Sequence, residues 1–483
     1  MMGVLDHCEP KAVWNYFEEI CCIPHGSGHT ELIAEYFEQF AGKHNFEFHK
    51  DAAGNVIIIK EASAGFEHVP ALILQGHMDM VCEKTQETEI DFRKDGLTLE
   101  KDGDFVTAKG TTLGGDDGIA AAYGMALLTD ESLAHPRLEL VLTVDEEIGL
   151  LGAAALDVSP LKGRKLINLD SEDEGVFLAG CAGGLTLTCE IPATREEAEG
   201  ILVDIDFGGF KGGHSGDDID KGRANSNMTA GRVLFEAGQT VPLRIVSVSG
   251  GTKDNAIPRR TTASVMIQSE DEKKFLDFLR KEEKILRDEY AGSDGSITVT
   301  SSARGKAAAR VLSKKSQEIV LDTLMNIPNG IQKMSADIPG LVETSQNMGI
   351  MRLDDDALRM SFSVRSSRES AKHYLAGRTE DFVRLMGGSS ARAGDYPGWT
   401  YQKNSKLCDS FSESYERLFG AKPQMKAIHA GVECGILKEK LAGADCISLG
   451  PQMYDIHTTE ERLSISSVEK YYRLLRDVIA KKA

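Results

Sequence analysis

Long hydrophobic runs are missing from this chain of 483 residues. Apolar stretches such as Val56–Ile59 and Ala71–Leu74 fall far short of the roughly 20 residues that cross a bilayer, so no membrane partner is expected. A basic surplus is missing too. Lys and Arg number 55 against 75 Asp and Glu, a formal charge of −20, and such a surface repels phosphate backbones and anionic membranes, which excludes nucleic acid as a partner. The nine cysteines contain no C-x-x-C pair, and their number is odd. That pattern argues against a disulfide frame and a Cys-type zinc site, and for reduced thiols in the cytoplasm. The opening stretch Met1–Cys22 shows no basic segment followed by an apolar core, the mark of a secretory leader, and a cytoplasmic location is expected. What is present is ordinary: 41% hydrophobic and 27% charged residues, a globular composition in a chain long enough for two or more cores.

The first 185 residues alternate helical and strand patterns. Leu32, Ile33, Tyr36, Phe37 and Phe40 mark one face of a helix behind Thr30, and Gly118–Leu128 reads as another. Asn55–Lys60, Pro70–Gln75, Arg137–Val144 and Lys165–Asn168 read as short, mostly buried strands. Such alternation predicts an α/β domain with a mainly parallel mixed sheet sandwiched by helices, with ligands beyond the carboxyl ends of its strands. From 186 to 397 the texture changes to strands around long polar helices, notably Glu270–Ala291 and Ser313–Met325, which predicts an inserted α+β lid domain. Gly250–Asn255 and Glu343–Gly349, each read as preceding a strand, suggest two repeated modules inside it. The β/α pattern returns over 398–483, so the catalytic domain is expected to be discontinuous, 1–185 with 398–483.

Chemistry concentrates where predicted strands end. Gly76-His77-Met78-Asp79-Met80 follows the first of them, and Asp79 can supply the carboxylate that fixes a ligating imidazole. Gly114-Gly115-Asp116-Asp117-Gly118 opens a helix; read alone it is an N-cap, but a carboxylate there can also bridge two cations. Asp145-Glu146-Glu147 packs three carboxylates at a strand end, costly unless a cation or proton neutralises them. Neighbouring side chains diverge, so Glu147 can hold a metal while Glu146 faces a water molecule. Asp170 and His457 complete the set. Two imidazoles and three carboxylates, His77, Asp116, Glu147, Asp170 and His457, suffice for two divalent cations sharing one carboxylate.

In order along the chain, HMDM, GTTLGGDDG, DEEIG, INLDSEDEG, CAGG, GGHSG, NAIP, HAGVECG and a late His resemble the co-catalytic zinc metallopeptidase family that includes aminoacylases, carboxypeptidases and dipeptidases. The likeness runs from about Trp14 to the last helix. GGHSG, HAGVECG and the large insertion are similar to the branch that cleaves Xaa-His dipeptides, β-Ala-His among them. The resemblance implies that Asp116 bridges two metals, that His77 and Asp170 hold one and that Glu147 and His457 hold the other. Zinc is the first expectation, with manganese or cobalt as alternatives. Asp79 would orient His77, Glu146 would be the general base, and His214 would stabilise the oxyanion. Asn255 and Arg365 match lid positions that bind substrate, and a guanidinium fork suits a free carboxylate. His429 and Glu433 are expected in the cleft, Glu433 on the substrate's amine or an imidazole.

Two departures stand out. Asp455-Ile456 precede His457 where relatives often have Gly-Pro, and Asp117 stands where Asn is common. The insertion is long enough for two lid modules, so His214 is expected to serve its own chain, whether or not the protein is a homodimer. The competing readings are an N-acyl-amino-acid hydrolase on the same ligands and an inactive peptide-binding scaffold; retention of Glu146 and all five ligands argues against the second.

Overall fold

The computed structural model describes residues 3–482. They form two compact units. One comprises the described residues up to Cys181, Trp399–Ala427 and Val432 onward; the other comprises Ala182–Gly398 and Ile428–Gly431. Each has its own apolar core.

An eight-stranded sheet organises the first unit. Its order is Glu47–Lys50, Val56–Lys60, Leu138–Thr143, Leu72–His77, Lys165–Asn168, Asp445–Ser448, Val176–Cys181 and Gln424–Ile428. The four central strands, Leu138–Thr143 to Asp445–Ser448, run parallel. The strands flanking them, Val56–Lys60 and Val176–Cys181, are antiparallel, so the sheet is mixed. Leu72–His77 and Leu138–Thr143 are buried at every residue, polar Gln75, Glu139 and Thr143 included, as strands covered on both faces must be. The helix Gly115–Thr129 is buried from Gly115 to Leu128. A second, four-stranded sheet pairs the hairpin Leu99–Asp102 and Phe105–Ala108 with Arg462–Ser464, which in turn pairs with Met453–Tyr454. These short strands carry no apolar run long enough to show in the sequence, yet they frame the loop holding His457.

The second unit is an antiparallel sheet with two halves of the same connectivity. Arg195–Gly208, Ser226–Thr240, Leu243–Gly250, Thr261–Ile267, Glu272–Glu289 and Thr298–Leu312 run strand, helix, strand, strand, helix, strand. Gly183–Pro192, Lys314–Asn326, Val342–Leu353, Ala357–Ser366, Glu369–Leu385 and Ser389–Tyr396 repeat that order, with the first set inserted after its opening strand. The halves join where Ser249 and Gly250 pair with Arg352 and Met351. Glu343–Gly349 precedes the strand Ala357–Ser366, but it is itself strand despite its polar composition, lying inside Val342–Leu353. The polar side chains are tolerated there because each finds a partner: Thr344 with Ser366, Gln346 with Thr379, and Asn347 with the Ala256 carbonyl.

Candidate metal centre

Parallel strands deliver the metal-centre residues to one end of the first unit's sheet. His77 is the last residue of its strand, and Asp145–Glu147 and Asp170 lie just past the ends of the strands on either side. Asp116 stands at the start of the buried helix, behind Gly114, whose left-handed backbone (φ 67°) suits glycine. Asp116 itself is not helical (φ −83°, ψ 104°). His457 and Asp455 also hold positive φ, 61° and 54°, unusual for residues with a Cβ. Thr458 Oγ1 donates to the Asp455 carbonyl at 2.6 Å and Arg462 pairs with the Asp455 carboxylate at 3.2 Å. Asp455 thus does by side-chain contacts what a Gly-Pro sequence would do by backbone preference.

The side chains form two triads that share Asp116, and a third, His77, Glu146 and Glu147, brings its ligand atoms equally close. His77, Asp116 and Asp170 bring one ligand atom each within 4.8 Å of one another, and so do Asp116, Glu147 and His457. Asp116 Oδ1 lies 3.1 Å from His77 Nε2, and its Oδ2 lies 3.1 Å from His457 Nε2. His77 Nε2 is also 3.6 Å from Asp170 Oδ1, and His457 Nε2 is 2.8 Å from Glu147 Oε1. This donor set fits two cations. The Asp79 carbonyl at 2.9 Å accepts the Nδ1 proton of His77, which leaves the Nε2 lone pair facing two carboxylate oxygens. Glu147 Oε1 is buried and aligned for no hydrogen bond, as expected of a ligand atom turned towards a cation.

Without cations the groups charge one another. Burial opposes protonation of His77, but Asp116, Asp170 and Asp79 outweigh it and hold the imidazole well above its usual range. Asp116 and Glu147 push His457 up to about 11. Burial, reinforced by Asp116 and Glu147 against His77, pushes Asp170 up to about 6. Burial likewise raises Glu146 well above the usual carboxylate range, with Asp170, Glu433 and Glu147 adding to it against His77. Such a cluster stores protons where cations would otherwise supply the positive charge.

Around this centre the structure refines several sequence expectations. Asp79 meets His77 through its main-chain carbonyl, and its carboxylate is 3.5 Å from Nδ1. That carboxylate instead accepts Ser27 Oγ at 2.8 Å and the N–H groups of Glu146 at 3.1 Å and Glu147 at 3.4 Å. Asp79 therefore holds the acidic turn as much as the imidazole, with help from Ser27, which the sequence did not single out. Asp117 is fully buried and accepts the His77 N–H at 3.2 Å. Glu433 is also fully buried; Thr143 Oγ1 (2.7 Å) and Gln75 Nε2 donate to its Oε2, and its Oε1 has no partner. Burial lifts this carboxyl to about 7.

The remaining predicted residues belong to the second unit. His429 follows a strand of the first unit's sheet but clusters with the second, whereas Glu433, four residues on, belongs to the first. His429 Nε2 meets Ser345 Oγ at 2.7 Å, and burial followed by the Arg365 charge pushes its pKa down to about 3. Arg365 is 6% exposed; it donates to Tyr396 Oη at 3.2 Å, lies 3.3 Å from His214 Nε2 and leaves Nε unpaired. His214 Nδ1 accepts the Asp217 N–H at 3.2 Å. Asn255 is not drawn into this group: its side chain is exposed, and its carbonyl accepts the Ser215 N–H at 2.9 Å.

A model of peptidase family M20/M25/M40 matches residues 73–481. The chain belongs to this family. Within it, the chain is 36% identical over 482 residues to the cytosol non-specific dipeptidase of Escherichia coli (strain K12), covering 99% of both. The crystal structure of aminoacylhistidine dipeptidase from Vibrio alginolyticus matches with a TM-score of 0.91 and 34% identity, over 99% of this chain and 98% of that one. A tripeptidase from Staphylococcus aureus shares the M20 fold at 15% identity, with a TM-score of 0.56 and 99% of each chain covered.

Proposed function

We propose that the protein is a two-metal dipeptidase that cleaves Xaa-His substrates, β-Ala-His among them, with Glu146 as general base. The observation that carries the reading is the pair of ligand triads sharing Asp116, with Glu146 beside them on the turn held by Asp79. Full-length likeness to two proteins named as dipeptidases supports the substrate class.

His77 and Asp170 would hold one cation, Glu147 and His457 the other, and Asp116 both. Two divalent cations, zinc foremost, would polarise the scissile carbonyl and make water acidic enough to yield its proton near neutral pH. Glu146 accepts that proton on a carboxylate oxygen and returns it to the nitrogen of the departing amine. Asp79, by accepting the Glu146 and Glu147 N–H groups, would hold the turn that carries both base and ligand. Glu433 offers a buried carboxylate oxygen to the substrate's free amine. Arg365 would offer a desolvated guanidinium to its C-terminal carboxylate, and His214 a donor to the oxyanion; His429, hydrogen-bonded to Ser345, and the exposed Asn255 are further proposed substrate contacts.

The cytoplasm is the proposed location; all nine cysteines are free, and no helix among the described residues is long and apolar enough to cross a membrane. His214 is proposed to act in its own chain. Mixing His214→Ala with Glu146→Ala protein should then restore no activity, and recovery would show that the histidine crosses between subunits of a homodimer.

The deciding assay is hydrolysis of β-Ala-His, Gly-His, Ala-Ala and N-acetyl-Ala by metal-stripped protein, with and without zinc or manganese. Metal-dependent cleavage of the free dipeptides, fastest for those ending in His, is the expected result. Cleavage of N-acetyl-Ala alone would reassign the protein to N-acyl amino acids.

A further inference from the structure

Between Met453–Tyr454 and Arg462–Ser464 the chain carries His457 and, four residues later, Glu461. Glu461 is 3% exposed. Its Oε2 accepts the N–H groups of Leu113 at 2.8 Å and Gly114 at 3.3 Å, and its Oε1 those of Gly115 at 2.9 Å and Asp116 at 3.4 Å. Four consecutive main-chain donors thus converge on one carboxylate. They belong to the start of helix Gly115–Thr129, where N–H groups have no partner within the helix. The residue in capping position is Gly114, which has no side chain to cap with. An anionic cap from a distant segment suits the positive end of the helix.

This cap also fixes a distance. Glu461 is tied to the His457 loop by its own N–H, which donates to the Thr458 carbonyl at 3.2 Å. The loop presenting Asp116 and the loop presenting His457 are therefore joined through one side chain, and Asp116 Oδ2 stands 3.1 Å from His457 Nε2. Glu461 is hydrogen-bonded to no ligand side chain.

We propose that Glu461 is a positioning residue of the two-cation centre, setting the bridging carboxylate Asp116 against His457. The proposal rests on the metallopeptidase reading above. Glu461→Gln keeps the shape but turns an amide N–H2 towards main-chain donors, and Glu461→Asp keeps the charge but loses reach.

Metal-stripped wild-type and variant proteins are titrated with zinc by calorimetry, their bound zinc is counted, and dipeptide kinetics are run at saturating zinc. In Glu461→Gln at least one zinc should bind about 10- to 100-fold more weakly, the usual effect of losing a group that orients a ligand. With zinc saturating, kcat should return to within a few-fold of wild type at unchanged KM, and Glu461→Asp should fall between the two. Ile58→Ala, in the core of the same unit, serves as a destabilised control that should bind zinc as the wild type does. Wild-type zinc affinity in Glu461→Gln, or equal weakening in Ile58→Ala, would overturn the proposal. If Glu461→Gln does not fold, Glu461→Asp decides by the same criteria. Wild-type protein that takes up no zinc would sink both this role and the metal reading, whereas two zinc ions bound equally well by wild type and variant would remove Glu461 alone.

Discussion

Glu146 and Glu147 are neighbours for which different tasks are proposed, Glu147 as a cation ligand and Glu146 as the base. Glu147 groups with His457 and Asp116 and also with Glu146 and His77, and Glu146 stands on the turn that Asp79 holds. Glu146→Ala should therefore bind two cations as the wild type does and lose about 10²–10⁴-fold in kcat. Near-normal turnover would remove it from the proton path. His429 shows a different residue-scale effect. Its pKa falls from the usual 6.5 to about 3 because burial and Arg365 disfavour the charged ring. Below pH 6.5 the unfolded chain takes up a proton that the folded one refuses, so stability falls as pH drops from 6.5 towards 3, by at most about 1.4 kcal/mol per pH unit from this group. His429→Gln should flatten the melting temperature's pH dependence in that window; an unchanged slope would mean that the ring is protonated in the fold.

At the scale of elements, ligands at strand ends could be read from sequence because short apolar strands announce where they stop. His77, Glu147 and Asp170, proposed as ligands, follow that logic; Asp116, at a helix start, and His457, between two short strands that leave no apolar run in the sequence, are legible only through their motifs and the family resemblance. Positions set by long-range packing could not be read this way. Glu461 is one glutamate in a run of polar residues until the fold brings it to Leu113–Asp116, and the strand Val342–Leu353 hides behind polar residues whose partners come from other segments. The turn that carries Glu146 and Glu147 depends on packing of the same kind. A Cβ on Gly152 would sit 2.1 Å from the Val144 carbonyl oxygen and 2.6 Å from Asn55 Oδ1, and Asn55 in turn accepts the Val144 N–H at 3.0 Å. Gly152→Ala should cost about 1–3 kcal/mol and weaken cation binding through displacement of the turn. Thermal melting and zinc titration of that variant test both effects; wild-type behaviour in both would show that the turn tolerates the shift.

For the whole molecule, the sequence indicated the α/β and α+β textures, and the structure added connectivity. The order of elements common to the two halves of the second unit is hinted at in the sequence only by Gly250–Asn255 and Glu343–Gly349, and the insertion of one half after the other's first strand leaves no mark in composition. His429 escapes for a related reason: four residues, Ile428–Gly431, leave the first unit's segment to pack with the second, and no local pattern marks the exchange. One carboxylate, Asp116, is proposed to serve two cations. Counting tightly bound zinc per chain in wild type and in His77→Ala, His457→Ala and Asp116→Ala tests it most directly. Two ions in the wild type, one in each histidine variant and none in Asp116→Ala is the predicted result. An Asp116→Ala chain that still binds one or two ions tightly would contradict it.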